Sequence, residues 1–286
     1  MSIERVGIVG GGQMGGGIAE VCVKAGVNTI IVEVNDELVA RSKTGIEKSL
    51  AKAVDRGKLE PGARDTALSL LVFSTDRESL ADRDLVIEAV VEDEDLKHDI
   101  FSDLDRIVTS PDAILATNTS SIPVTRIAQA TNRPESVVGM HFFNPATIMP
   151  LVEIIRTVVV SDEAVERSAA FASDRLGKTV VHAKDRAGFI VNKLLCPYIF
   201  ESIRMLEDGF ATREDIDAAM VNGAGYPMGP LTLSDLIGND TMLAVAESLM
   251  AEYEDPRYAA PPLLKRMVEA RLLGRKTGRG FYDYGK

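Results

Sequence analysis

The chain is poor in the residues and runs that mark several protein classes. Its 286 residues include only two cysteines, Cys22 and Cys196. They stand far apart, each in an apolar helical pattern, which excludes a disulfide framework and a zinc site and leaves them as reduced core residues. No apolar run reaches the roughly 18 to 20 residues of a membrane helix. The opening "MSIERVGIVG" enters an apolar strand at once, without the basic and apolar regions of a secretory leader. A cytoplasmic protein with no membrane contact is expected. Positive charge is also in deficit, since 32 Lys and Arg against 43 Asp and Glu leave a net charge of −11. That field repels nucleic acid and anionic membrane, so neither is expected as a partner. It opposes an anionic small ligand as well, which must then be held by local donors such as helix N-termini and a few placed lysines. There is no internal repeat and no cluster that predicts a metal site.

The length and a 45% hydrophobic content suit two domains with a substantial core. "RVGIVG" and "NTIIVEV" read as short buried strands flanking the apolar helical pattern "GIAEVCVKAG", a βαβ unit. The long helical stretch "ELVARSKTGIEKSLAKAVDRGKL" follows, then strand-like "LVFST", "DLVIEAV", "AILATNT" and "SVVGMHFF", and an extended "LVEIIRTVVV". This alternation predicts an α/β fold with an N-terminal Rossmann-type, doubly wound, mostly parallel sheet. Beyond about residue 185 helices and turns such as "GAGYPMGP" take over, and strand signals nearly vanish until the "GFYDY" tail. The expected domains are 1–185, binding a dinucleotide, and 186–286, all helical, with a boundary near Lys184 to Gly188. Met205, Met220, Met228 and Met242 are expected to pack in the helical core.

Residues 6–20, "VGIVGGGQMGGGIAE", contain seven glycines. Only one register supplies G-x-G-x-x-G between a strand and a helix: Gly10 for the tight turn, Gly12 for close approach of a pyrophosphate, and Gly15 for helix packing on the strand. Gln13 and Met14, between the last two, belong to the same cofactor site, while Gly11, Gly16 and Gly17 are packing or linker glycines. Glu33 ends the second strand 18 positions after Gly15, where a carboxylate accepts hydrogen bonds from the adenosine ribose and repels a 2′-phosphate. NAD is therefore expected rather than NADP. The competing reading is a glycine-rich turn with no nucleotide.

Three histidines can be weighed one by one. His98 sits in a charged helix and reads as solvated; His182 ends a strand and reads as structural. His141 stands at a strand end in "GMHFFNPATIMPLVEII", with Asn144-Pro145 forcing a turn and Glu153 returning on the next extended segment. Alone, it reads as a core histidine among Phe142 and Phe143.

The motifs "GGGQMGGGIA", "VIEAVVED", "NTSSI", "HFFNP", "LVEII", "DRAGFIVNKLL" and "GAGYPMGP" together resemble the short-chain L-3-hydroxyacyl-CoA dehydrogenases, most closely the bacterial branch acting on 3-hydroxybutyryl-CoA. The resemblance spans essentially the whole chain. It implies that His141 is the catalytic acid/base and Glu153 its partner, a pairing with sound chemistry. Imidazole ordinarily titrates near 6.5, and a carboxylate on its far nitrogen fixes the tautomer and stabilises the imidazolium. In oxidation His141 would take the 3-hydroxyl proton while hydride leaves C3. The resemblance further implies that Ser120 bonds the reacting oxygen and that Asn192 helps place substrate and histidine. It sets Glu92, Lys97 and Asn118 near the nicotinamide half of the cofactor. Coenzyme A phosphates would lie near Ser49, Lys52 and Arg56, with Lys48, Lys52 and Arg56 spaced onto one helix face. It also implies a homodimer through the helical domain and a structural role for the tail "GRKTGRGFYDY".

Other readings stay open here. Ser120 could cap a turn, Asn192 could be an ordinary polar residue, Glu92 and Lys97 could be a solvated charge run, and the lysine face could be merely exposed. A Ser-His-Glu hydrolase has the right residue types but no G-x-S-x-G elbow. The substrate thioester could sit on an acyl carrier protein, or the scaffold could bind nucleotide without turnover.

Overall fold

A computed structural model describes residues 2–285. They divide between Asp185 and Arg186 into two compact units. In the first, β1 (Arg5–Val9), β2 (Asn28–Val32), β3 (Leu71–Ser74), β4 (Leu85–Glu88), β5 (Ile114–Thr117), β6 (Val137–Phe142), β7 (Leu151–Arg156) and β8 (Thr179–Lys184) form one sheet in the order 3-2-1-4-5-6-7-8. The first six of these run parallel; β7 is antiparallel to β6, and β8 is parallel to β7. Strands β4, β5 and β6 are buried at every residue. Their continuous apolar runs suit a sheet covered on both faces, where no alternation is needed.

The helices are α1 (Gln13–Lys24), α2 (Asp36–Asp55), α3 (Pro61–Ser69), α4 (Glu94–Ile107), α5 (Val124–Ala128) and α6 (Asp162–Ala170). Ile18 and Cys22 of α1, Ile46 and Leu50 of α2 and Val165 of α6 share one core with strand residues such as Ile8, Ile87 and Met140. Side chains cap α2, α4 and α6: Asn35, Asp93 and Ser161 accept from the backbone N–H of Leu38, Leu96 and Ala164, satisfying donors that a helix start leaves open. The stretch 37–59, read as one helix, ends earlier. Gly57 turns the chain with φ +65°, and Pro61 starts a separate α3, since proline suits a first turn but not an interior. The extended reading of 151–160 also stops short, at Arg156. There the Thr157 hydroxyl accepts from the N–H groups of Val159 and Val160 in a turn that leads into the Ser161 cap.

The second unit holds α7 (Val191–Glu207), α8 (Arg213–Ala224), α9 (Pro230–Ile237), α10 (Asn239–Tyr253) and α11 (Pro262–Glu269). Their core includes Phe200, Ile203, Leu231, Met242, Leu249 and Leu264. Met205 packs on this core, while Met220 and Met228 are half-buried. The aromatic tail is not a strand but two isolated bridges, held by buried Asp235. Its carboxylate accepts from the N–H groups of Phe281 and Tyr282 and from the Tyr284 hydroxyl. Among the described residues no helix is long and apolar enough to cross a membrane.

Candidate active site

Parallel β1, β4, β5 and β6 end at one edge of the sheet, and the strand order reverses there between β1 and β4. Such a switch point opens a crevice beyond the strand ends. The glycines of the β1–α1 turn have separate reasons to be glycine. Gly10 has φ +90°, in the left-handed region that glycine tolerates best. A methyl on Gly15 would lie 1.8 Å from the Gly10 carbonyl oxygen, so α1 could not approach β1 as it does. At Gly12 the same methyl would meet nothing within 4 Å. Gly12 is also the N-cap of α1, with no side chain capping the helix and no acidic residue in its first turn. Open space above uncapped N–H groups is a cradle for a pyrophosphate, and the residues present fit a dinucleotide. Gln13 and Met14 form the start of α1. Gly11 is a packing glycine, as a methyl there would strike the Ser42 hydroxyl and Ile31.

Glu33 lies just past β2, and its Oε1 accepts from the Gly11 N–H at 2.7 Å. The side chain is thereby folded back over the turn.

The β4 and β5 ends carry a second network. Lys97, on α4, is only 1% exposed, so the reading of this segment as a solvated charge run is wrong for it. Its ammonium donates to Glu88 Oε1 at 2.6 Å and stands 3.4 Å from Glu92 Oε2. Glu92 Oε1 accepts from the Thr119 hydroxyl at 2.5 Å, from the N–H groups of Ser120 and Ser121 at 3.0 Å each, and from the Ser121 hydroxyl at 2.8 Å. Burial alone pushes this carboxyl up, but the Lys97 charge and these hydrogen bonds outweigh it and hold Glu92 below the usual carboxylate range. Asn118 Oδ1 accepts from the N–H of Phe142 at 2.9 Å, tying the end of β5 to the residue after His141.

His141 and Glu153 face each other in register across β6 and β7. Nδ1 of His141 lies 2.7 Å from Glu153 Oε2, the carboxylate fully buried and the histidine 6% exposed. A carboxylate accepts only, so Nδ1 carries the proton and Nε2 is the nitrogen suited to exchange one with a ligand. The Phe143 ring sits tilted against the imidazole at 4.6 Å, and the turn between the strands holds a cis Asn144-Pro145 bond.

Other expected residues stand on other elements. Asn192 is the second residue of α7, in the second unit. Ser49 is half-buried on α2, with Lys48 and Lys52 exposed. Arg56 caps that helix rather than lying within it. His98 is half-buried on α4 rather than fully solvated; His182 is exposed on β8 rather than structural. Both cysteines are buried, as expected. Glu88 was not singled out in the sequence. The signal was an acidic residue closing an apolar strand, "DLVIEAV".

Comparison with known proteins accounts for both units. Residues 5–186 match the family model "3-hydroxyacyl-CoA dehydrogenase, NAD binding domain", and residues 188–284 match its C-terminal domain. The chain belongs to the 3-hydroxyacyl-CoA dehydrogenase family. It is thus an oxidoreductase by family, with that family's NAD-binding fold. A 3-hydroxybutyryl-CoA dehydrogenase of Mycobacterium tuberculosis H37Rv is 55% identical over 99% of both chains. The crystal structure of M. tuberculosis FadB2 superposes with a TM-score of 0.99 at 54% identity, covering 100% of both chains. The (S)-3-hydroxybutyryl-CoA dehydrogenase PaaH1 of Ralstonia eutropha, 44% identical, gives 0.95, again over 100% of both chains.

Proposed function

We propose that the protein interconverts (S)-3-hydroxyacyl-CoA and 3-oxoacyl-CoA with NAD(H), 3-hydroxybutyryl-CoA being the preferred substrate. The observation that carries this reading is the buried 2.7 Å contact of His141 with Glu153, at the same sheet edge as an open dinucleotide cradle. When bound, NAD(H) supplies or accepts the hydride. His141 exchanges the proton of the 3-oxygen at Nε2, taking it in oxidation and giving it in reduction. Glu153 holds the imidazole in the tautomer this requires and stabilises the imidazolium. Ser120 donates to the same oxygen and orients it, and Asn192 assists in placing substrate and histidine.

Gly10, Gly12, Gln13, Met14 and Gly15 receive the pyrophosphate, and Glu33, pinned by Gly11, receives the ribose and disfavours NADP. Glu92 and Asn118 border the nicotinamide side, with Lys97 acting there through Glu92 rather than at the surface. Ser49, Lys52 and Arg56 contact the coenzyme A phosphates. Residues 1–185 serve as the dinucleotide-binding domain; residues 186–286 complete the substrate cleft and pair two copies into a homodimer.

Purified protein is expected to oxidise NADH when given acetoacetyl-CoA, faster than with longer 3-oxoacyl-CoAs and faster than with NADPH. His141→Ala should lower turnover by about 10²- to 10⁴-fold, the range of general acid–base catalysis, while NADH affinity stays within about twofold. Full activity of that variant would remove the mechanism.

A further inference from the structure

Glu88 closes β4 with no exposed surface, yet the proposed chemistry does not use it. Its Oε1 accepts from Lys97 Nζ at 2.6 Å and from the Val90 N–H at 2.7 Å, and its Oε2 accepts from the Thr117 hydroxyl at 2.7 Å. Both carboxylate oxygens are therefore engaged by groups on three different segments. Lys97, in turn, has Glu92 as its only other ion-pair partner among the described residues. Glu92 then holds the backbone of the loop bearing Ser120 through the hydrogen bonds described above. The contacts form one chain from Glu88 through Lys97 and Glu92 to Ser120.

A buried ion pair is a poor source of net stability, because desolvation consumes most of the attraction and apolar residues fill the same space as well or better. What such a pair supplies is a defined arrangement of charge. We propose that Glu88 is a positioning residue for the dehydrogenase reaction: by holding the Lys97 ammonium from below, it sets Glu92 and thereby fixes the loop that presents Ser120 to the reacting oxygen. This rests on the dehydrogenase reading, in which Ser120 orients the substrate. Without the Glu88 charge, the ammonium keeps a single carboxylate partner and is drawn from 3.4 Å toward full contact with Glu92. The carboxylate must turn to meet it. Its other oxygen then loses alignment with the N–H groups of Ser120 and Ser121, and the loop is released.

The test compares Glu88→Gln, Lys97→Met and the double variant with the wild type, by acetoacetyl-CoA reduction, thermal unfolding and amide hydrogen exchange across residues 118–123. Glu88→Gln is expected to lower kcat about 10- to 100-fold, the scale of a small misplacement at a reacting centre. KM for acetoacetyl-CoA should move less than about threefold. Exchange at Ser120 and Ser121 should accelerate. The double variant removes the buried ammonium, which Glu88→Gln leaves with one carboxylate partner instead of two, so it should regain thermal stability relative to Glu88→Gln. It should nevertheless stay slow, with kcat no lower than that of either single variant, because both changes cut the same chain. Turnover of Glu88→Gln within twofold of the wild type, or unchanged exchange at Ser120 and Ser121, overturns the proposal. So does a double variant that regains turnover along with stability. Should Glu88→Gln fail to fold, the double variant decides by the same criteria. A wild-type protein that does not reduce acetoacetyl-CoA refutes the dehydrogenase reading instead, and the exchange measurement still decides whether Glu88 sets the loop.

Discussion

Gly12 and Gly15 stand three residues apart in one fingerprint, yet alanine at the two positions should do opposite things. At Gly15 the added methyl lies 1.8 Å from the Gly10 carbonyl oxygen and 2.9 Å from its carbon. The obstacle is backbone, and the Gly10 N–H is itself bonded to the Val32 carbonyl at 2.9 Å, so α1 must lift away from β1. Overpacking of this kind costs about 1 to 3 kcal/mol and more where the neighbour cannot give. For a chain of this size that lowers Tm by roughly 2 to 5 °C. At Gly12 φ is −62°, which alanine adopts without strain, and the methyl meets no protein atom within 4 Å. The poorer N-cap costs folding about 1 kcal/mol, which the lower entropy of alanine in the unfolded chain largely offsets. The methyl instead occupies the cradle that a pyrophosphate would enter. About 1.4 kcal/mol of lost contact weakens NADH binding roughly tenfold. The assay is paired: Tm by circular dichroism and Kd by NADH fluorescence titration. Gly12→Ala should keep Tm and lose affinity, and Gly15→Ala should lose Tm. A Gly15→Ala protein as stable as the wild type, or a Gly12→Ala protein that binds NADH as tightly, refutes the chosen register.

Two further outcomes follow from the titrating groups. Glu92 is held below its ordinary value of 4.5, so its contribution to stability is complete above that pH and is lost as the pH falls through the lower folded value. The stability difference between wild type and Glu92→Gln, from urea unfolding, should therefore shrink as the pH falls below 4.5; a difference that grows on acidification contradicts the network. Burial pushes the thiols of Cys22 and Cys196 up to about 12, leaving only about one part in ten thousand as thiolate at pH 8. Both should resist a disulfide reagent until the chain unfolds, and fast labelling of native protein would show that one of them is accessible.

The parts legible in the sequence are those whose constraint is local. The glycine register needs only a strand before it, a helix after it and a count; Gly10 has the left-handed φ, Gly15 the close approach to β1, and Gly12 open space around it. The apolar runs of β1, β4 and β5 announce a covered parallel sheet for the same reason. The partnership of His141 with Glu153 is different. It depends on β7 returning antiparallel with a register that sets position 153 opposite 141, which no spacing rule supplies, and only the family resemblance pointed to it. Lys97 shows the limit more sharply. Within "VEDEDLKHD" its charge looks solvated, because burial of a cation is decided by a carboxylate on another element, here Glu88 at the end of β4. The stretch 37–59 reads as one helix because a helical pattern continues across the Gly57 turn, while φ at that glycine is a property of the folded chain.

The central claim is that His141, braced by Glu153, exchanges the proton of the substrate's 3-oxygen. A crystal structure of the complex with NAD+ and acetoacetyl-CoA tests it most directly. The account predicts Nε2 of His141 about 2.6 to 3.2 Å from the 3-oxo oxygen, with Nδ1 still on Glu153. A 3-oxo oxygen beyond the reach of that nitrogen, or a different side chain in its place, contradicts it.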